Sequence, residues 1–123
     1  MDQAVILSTA RTPIGKAYRG SLNDTDAPTL ASYAIKASIK NAGIDPSEVE
    51  DVIIGAAVQQ GTQGYNIGRL SAAASGLPVH VPGMSVDRQC ASGLMAIAIG
   101  AKQIACKEMD IVIGGGVESI SLV

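Results

Sequence analysis

The sequence predicts an α/β fold with a mostly parallel sheet. Three observations lead there. Short apolar runs of strand length alternate with longer helix-like stretches, Gly, Pro and Asn punctuate nearly every switch, and one long stretch, 90–107, is apolar around most of its circumference.

Each element follows from local pattern. Residues 4–7 are an unbroken apolar run ending at Ser8 and Thr9, the mark of a buried strand. Residues 11–21 hold Pro13, Gly15 and Gly20 and read as a loop. Asp26 or a near neighbour caps a helix beginning near Pro28. Leu30, Tyr33, Ala34, Ala37 and Ile39 are expected on its inner face, and Gly43 supplies its stop. Asp45-Pro46-Ser47 makes a turn before a second strand at 52–57. A Gly- and Gln-rich loop leads to a short helix over 66–75, closed by Gly76 and Pro78. A third strand is expected at Met84-Ser85-Val86 and a fourth at 111–113, ending in Gly114-Gly115-Gly116. The order is therefore βαβαβαβ, with right-handed crossovers.

The helix expected over 90–107 carries a further implication. Leu94, Met95, Ile97, Ala98, Ile99, Ala101, Ile104 and Ala105 point in almost every direction, and only Lys102 and Gln103 interrupt them. A helix apolar all round is a buried central helix. The rest of the chain has nothing left to cover its far side, so a second segment or an oligomeric partner is expected to do so.

Composition narrows the function. The 123 residues contain no Phe or Trp and three Tyr, so the core is aliphatic. Nine basic and eleven acidic side chains give a net charge of −2 with no basic stripe, which argues against a nucleic-acid partner. No apolar run reaches membrane-spanning length. The amino terminus runs into an apolar strand without a basic leader, so a soluble cytoplasmic protein is expected. Cys90 and Cys106, on one helix, would lie about 24 Å apart. That exceeds the roughly 7 Å limit for a disulfide and excludes a shared metal site; no metal is expected.

Cys90 is the candidate nucleophile, expected as a buried thiol at a helix start. A strand stops and the apolar helix begins around Asp87-Arg88-Gln89-Cys90-Ala91-Ser92-Gly93. The unpaired N–H groups and dipole of a helix start favour a thiolate there. Those N–H groups, that of Cys90 included, are candidate donors to the oxygen of a thioester carbonyl under attack. The carboxyl ends of parallel strands are also where α/β sheets bind ligands. The alternative is a small buried hydrophobe, and position alone leaves both open.

Four stretches, in order, resemble the thiolase family. Val86-Asp87-Arg88-Gln89-Cys90-Ala91-Ser92-Gly93-Leu94-Met95-Ala96-Ile97 resembles its acyl-enzyme motif. Arg11-Thr12-Pro13-Ile14-Gly15-Lys16 resembles the loop after its first strand. Asn66 and Arg69 resemble the segment before its second helix. Gly115-Gly116-Val117-Glu118-Ser119-Ile120-Ser121 resembles its Gly-Gly-x-Glu-Ser-x-Ser run. The resemblance implies that residues 1–123 are a thiolase amino-terminal domain, about a third of a complete enzyme, without the loop domain and carboxy-terminal half.

It further implies two βαβαβαββ halves whose sheets sandwich a pair of central helices. Cys90 aligns with the cysteine acylated by acyl-CoA, which passes the acyl group to CoA or to the α-carbon of a second acyl-CoA. Coenzyme A thioesters are then substrates, with no permanently bound cofactor. A homodimer or tetramer and a complementary carboxy-terminal segment are the implied partners, with the third strand near the two-fold interface. The family's His, second Cys and water-holding Asn belong to the other half. Asp87 stands where Asn is common and is expected to change local hydrogen bonding only.

Other motifs are set aside. His80 precedes the third strand, opposite Cys90, and is expected to be structural or solvent-facing. Cys106 lies at the wrong helix end. Gly114-Gly115-Gly116 and the trio Gly61, Gly64 and Gly68 lack phosphate-loop spacing. Arg11, Arg69 and Arg88 are expected to anchor loops or interfaces, so CoA-binding residues stay unassigned. Glu118 and Ser119 are expected to shape the pocket without moving protons. Two alternatives remain: a ketoacyl synthase-type condensing enzyme, and a catalytically incomplete assembly or acyl-CoA-binding module.

Overall fold

The computed structural model describes residues 3–123. Helix α1 spans Ala27–Ala42, strand β1 Asp51–Gly55, helix α2 Ile67–Ala74, strand β2 Met84–Val86, helix α3 Ser92–Ala105 and strand β3 Val112–Gly116. Asp26 starts α1, its two carboxylate oxygens accepting from Thr29 N (2.8 Å) and Thr29 Oγ1 (2.9 Å). Gly43, at φ 70°, ends it by donating to the carbonyls of Ile39 and Lys40. The buried stripe of α1 is Ala27, Ala31, Ser32, Ile35 and Ile39. Of the inner face expected from sequence, Ile39 is buried whereas Tyr33 is exposed. The stripe is rotated because small Ala31 and Ser32 face the core, and Tyr33 keeps its hydroxyl in water.

The sheet has the order β2-β1-β3 and both pairings are parallel. Ile53 stands opposite Met84, and residues Asp51 to Gly55 run in register with Val112 to Gly116. β1 is central and buried at every position, as expected for a parallel strand covered on both faces. Side chains alternate across it. Val52 and Ile54 join the core formed with Ile35, Ile39 and Ile67 of α1 and α2, while Ile53 points to the other face, where Gly100 of α3 packs on it. The result is three layers: α1 and α2, the sheet, then α3.

One sequence expectation fails here. Residues 4–7 form no strand, and Val5, Ile6 and Leu7 are exposed. A strand needs a ladder partner, and the edge of β3 away from β1 pairs with none of the described residues. Ser8 instead donates its hydroxyl to the carbonyl of Ser38 on α1 (2.6 Å). The sheet therefore has three strands, not four.

The helix expected at 90–107 leaves its far side uncovered among the described residues, as its apolar circumference implied. α3 is shorter than 90–107, running from Ser92 to Ala105, with left-handed residues near both ends at Gln89 (φ 52°) and Lys107 (φ 61°). Its buried residues are Ser92, Ala96 and Gly100, a single stripe at four-residue spacing, whereas Leu94 is 72 % and Ile97 46 % exposed. The sheet covers one side of a helix, and no described element covers the other.

Candidate active site

The segment that carries Cys90 begins where β2 ends. Ala56, just past β1, donates its N–H to the carbonyl of Val86 (3.0 Å), which fixes the point of departure. Asp87 Oδ1 then accepts from Gln89 N (2.8 Å). An Asn side chain has the same acceptor, so the acidic residue preserves this bond. Gln89 adopts the left-handed region, which costs a residue with a Cβ about 1–2 kcal/mol. Strain of this kind persists where surrounding bonds over-determine it, and here they do. Ala91 N donates to Arg88 O and Ser92 N to Gln89 O (both 3.1 Å). Ser92 Oγ accepts from Arg88 N (2.8 Å) and donates to Gln89 O (2.6 Å). Four bonds lock a turn of five residues, and Cys90 sits on its outer bend.

This placement corrects the expectation of a buried thiol at the first helical position. Cys90 is exposed, and it precedes the N-cap residue Ala91, so it lies two residues before the first residue of α3. The reason is the turn itself. Ser92 is the side chain that turns inward, satisfied by two backbone groups, and the left-handed Gln89 swings Cys90 outward. α3 starts without a side-chain cap; Ala91 N and Ser92 N are spent within the turn, which leaves the N–H groups of Gly93 and Leu94 as those of the first turn without a side-chain acceptor.

The turn rests on backbone, not on side chains. Gly55 closes β1 directly beneath Ser92 and Gly93, so close that a Cβ there would overlap their backbone. Gly114 lies against the Ile97 backbone in the same way, and Gly116 at the end of β3 lies against Gly93 with slightly more room. Gly114 and Gly116 are thus a packing surface for α3, while Gly115 faces Ile54 on the other side of the sheet.

Beyond the strand ends a second network ties the exits of β1 and β3 together. Val117 N donates to Gly55 O (3.0 Å). Glu118 receives Ala57 N at Oε2 (2.9 Å) and Val58 N at Oε1 (3.1 Å). Gln63, with 0 % of its surface exposed, donates Nε2 to Glu118 Oε1 (2.7 Å) and to Val58 O, and accepts Ser119 N at Oε1. Ser119 Oγ donates to Thr25 O (2.8 Å). Glu118 and Ser119 therefore shape the region by holding loops. Sequence reasoning passed over Gln63. Its only signal was a polar residue in a Gly-rich loop, and nothing local marks such a residue as buried.

The other candidates fall apart in space. Cys106 is exposed at the C-cap of α3, about 21 Å along the helix from its start. His80 is exposed in the turn that enters β2. Arg69 donates to the carbonyls of Val79 and Val81, and Asn66 caps α2 while donating Nδ2 to Gly83 O (2.7 Å). Both anchor the approach to β2. A cleft of about 350 Å³ lies between the 10–17 loop, α1 and residues 116–121; Arg11, Lys16 and Glu118 line it and Cys90 does not. Among the described residues, no group of His, Cys, Asp and Glu is placed to hold a metal, and no helix is long and apolar enough to cross a membrane.

This arrangement has known counterparts. The thiolase N-terminal domain family matches residues 4–123. The chain is 43 % identical over 123 residues to a 3-ketoacyl-CoA thiolase of Bacillus subtilis, covering 100 % of this chain and 32 % of that protein. It is 40 % identical over 121 residues to an acetyl-CoA acetyltransferase of Cupriavidus necator, covering 98 % of this chain and 30 % of the relative. The crystal structure of a Bacillus anthracis acetyl-CoA acetyltransferase superposes with a TM-score of 0.93 at 37 % identity, over 99 % of this chain and 30 % of that one. The chain spans about a third of the length of the relatives it matches, and by its sequence and its fold it belongs to the thiolase family as the family's amino-terminal domain.

Proposed function

We propose that the chain is the acyl-accepting portion of a thiolase-type acyltransferase that uses CoA thioesters, with Cys90 as its nucleophile. The observation that carries this reading is the position of Cys90. It is an exposed thiol on the bend of a strained, four-times-bonded turn, at the carboxyl edge of a parallel sheet and two residues before the first residue of an uncapped helix. The sulfur attacks the thioester carbonyl carbon and the C–S bond to CoA breaks. CoA leaves as its thiol, carrying the proton that Cys90 gives up, and the acyl group stays on Cys90 as a new thioester. The N–H groups left uncapped at the start of α3 are the donors this reading gives to the oxygen that becomes negative in between. Splitting the transfer through an acyl-enzyme replaces one difficult step by two easier ones. The same intermediate serves thiolysis by CoA and condensation with the α-carbon of a second acyl-CoA.

The groups that move protons in this reading lie in a complementary carboxy-terminal segment. The open side of α3, with Leu94 and Ile97, supports a partner at that face, and the outer edge of β2, which pairs with no strand among the described residues, supports a symmetric dimer. The alternative of a module that is inactive until it is joined to its complement is favoured by the same open helix. A cytoplasmic location is part of the proposal.

Intact-mass measurement after incubation with acetyl-CoA tests the nucleophile, on the chain alone and together with any co-purifying polypeptide. The expected result is one acetyl group per chain, mapped to the Cys90 peptide and lost in Cys90→Ser. Acetylation that survives this substitution, or that maps to Cys106, overturns the assignment. Acetylation only in the presence of the second polypeptide identifies the inactive-until-joined form.

A further inference from the structure

Gln63 is buried completely, yet no apolar role accounts for it. Its amide lies between the exits of β1 and β3 and bonds to both. The carbonyl of Val58 and the carboxylate of Glu118 take its two N–H donors, and its oxygen takes the N–H of Ser119. Glu118 is held in turn by Ala57 N and Val58 N. A side-chain amide buried with all of these bonds made is rigid, and each bond is costly to lose because the group left behind has no water to replace it.

What the amide holds is the floor under Cys90. Residues 57–58 follow β1 and residues 117–119 follow β3, and the last residues of those strands, Gly55 and Gly116, carry the Ser92–Gly93 backbone with no intervening side chain. Backbone stacked on backbone transmits displacement, because no flexible side chain absorbs it. If the two strand exits separate or slide, Ser92 moves. Ser92 Oγ joins Arg88 N to Gln89 O, the bonds that set the bend on which Cys90 sits.

We infer that Gln63, acting through Glu118 and the Gly55–Gly116 floor, is a positioning residue that sets the Cys90 turn relative to the N–H groups of α3. This rests on the proposed role of Cys90 as the acyl acceptor. Gln63 itself touches no reacting atom. Its effect is to hold sulfur and oxyanion donors in fixed relation, and sub-ångström errors in such relations are expensive in rate.

The test uses the two exposed cysteines of one molecule as signal and reference. The 123-residue chain is treated with phenyl thioacetate, whose leaving group needs no protonation, and separately with iodoacetamide, whose reaction develops no oxyanion. Modification of the Cys90 and Cys106 peptides is followed by mass spectrometry. Gln63→Leu keeps the volume and removes every polar bond. It is expected to lower Cys90 acetylation about tenfold relative to Cys106, with the alkylation ratio changing less than about twofold. Amide hydrogen exchange at Arg88, Ala91 and Ser92 is expected to speed up in the same variant, while exchange in α1 is unchanged.

The paired exchange Gln63→Glu with Glu118→Gln restores a carboxylate–amide contact with donor and acceptor reversed. It is expected to recover part of the acetylation ratio that Gln63→Glu alone loses, an outcome that simple loss of stability does not produce. Where Gln63→Leu does not fold, as judged by circular dichroism, the milder Glu118→Gln is read in its place. Equal changes at Cys90 and Cys106, or unchanged exchange at residues 88–92 in folded variants, overturn the inference. Failure of the unsubstituted chain to acetylate at Cys90, both alone and with the complementary polypeptide, overturns the nucleophile instead, and the exchange measurement still decides whether Gln63 holds the turn.

Discussion

On one side of the sheet, Val52 and Ile54 meet Ile35, Ile39 and Ile67, and all five are buried. On the other side Ile53 meets a helix that buries Ser92, Ala96 and Gly100 and leaves Leu94 and Ile97 open. The two helical layers also differ in how they are attached. α1 and α2 interdigitate branched side chains with the sheet and begin at side-chain caps, Asp26 and Asn66. α3 begins without a cap and lies on glycines, with backbone close to backbone. The closed layer stabilises; the open layer carries the thiol. An uncapped helix start also leaves the N–H groups that a cap would occupy without a side-chain acceptor.

Core truncation breaks or sharpens this contrast most directly. Ile67→Ala removes a fully buried side chain from the closed layer and is expected to cost about 2–5 kcal/mol in a urea titration. Leu94→Ala on the open side should cost no more than about 0.5 kcal/mol. Should Leu94→Ala cost as much as Ile67→Ala, the outer face of α3 is covered in solution, and the midpoint will depend on protein concentration.

The glycine floor comes next. Gly55→Ala puts a Cβ into the Ser92 backbone, and overpacking of this kind costs about 1–3 kcal/mol. The α1/α2 layer should keep its exchange protection while the start of α3 loses it. Equal loss on both sides would mean that α3 is not independently attached, contrary to the contrast above.

The same contrast explains what the sequence made legible. The closed layer was readable because its signals are local. Asp26, Pro28 and Gly43 bound α1, and the apolar run after Asp51 marks the central strand. Met84–Val86 stands where turn residues predict it. The failures involve partners distant in sequence or absent from the described residues. An apolar run at 4–7 has strand character, yet whether it joins a ladder depends on its neighbour. The apolar girdle of α3 states a need for cover without supplying it. At the site, the residue type and helix boundary placed Cys90 within two residues of α3. Its exposure depended on Gln89 being left-handed, which no propensity for Gln foretells. Gln63 was invisible for the opposite reason, since burial of a loop amide is decided by Glu118 and Ser119, 55 and 56 residues away.

Helix starts provide a finer comparison. Asp26→Ala removes the α1 cap and should cost about 1 kcal/mol, seen as a uniform drop in thermal midpoint. Ser92→Ala removes a buried hydroxyl that joins Arg88 N to Gln89 O and should cost about 1–2 kcal/mol. The energies are similar, but the second loss is local. Cys90 accessibility to iodoacetamide should change in Ser92→Ala and stay constant in Asp26→Ala. A matched change in both would show that the Cys90 turn follows global stability and is not a separate device.

The smallest effect belongs to the sheet that the two layers share. At the end opposite Cys90, Glu50 leads into β1 and its carboxylate accepts the N–H groups of Asp110 and Ile111, which lead into β3. These bonds, that of Asp110 first, hold its carboxyl below the ordinary glutamate value, and slight desolvation opposes them. A lowered folded value means that the charged form is favoured by folding. Its contribution is therefore fully present above the unfolded value of about 4.3 and is lost as pH falls through the lower folded one. The group is fully exposed, so solvent screens it and the effect is small. Glu50→Gln is expected to flatten the acid limb of the stability–pH curve and to leave the curve above pH about 5 parallel to that of the unsubstituted chain. Because β1 and β3 enter the sheet together here, both layers should lose the same amount. An acid loss confined to α3 would show that the open layer answers to its own charges and not to the sheet beneath it.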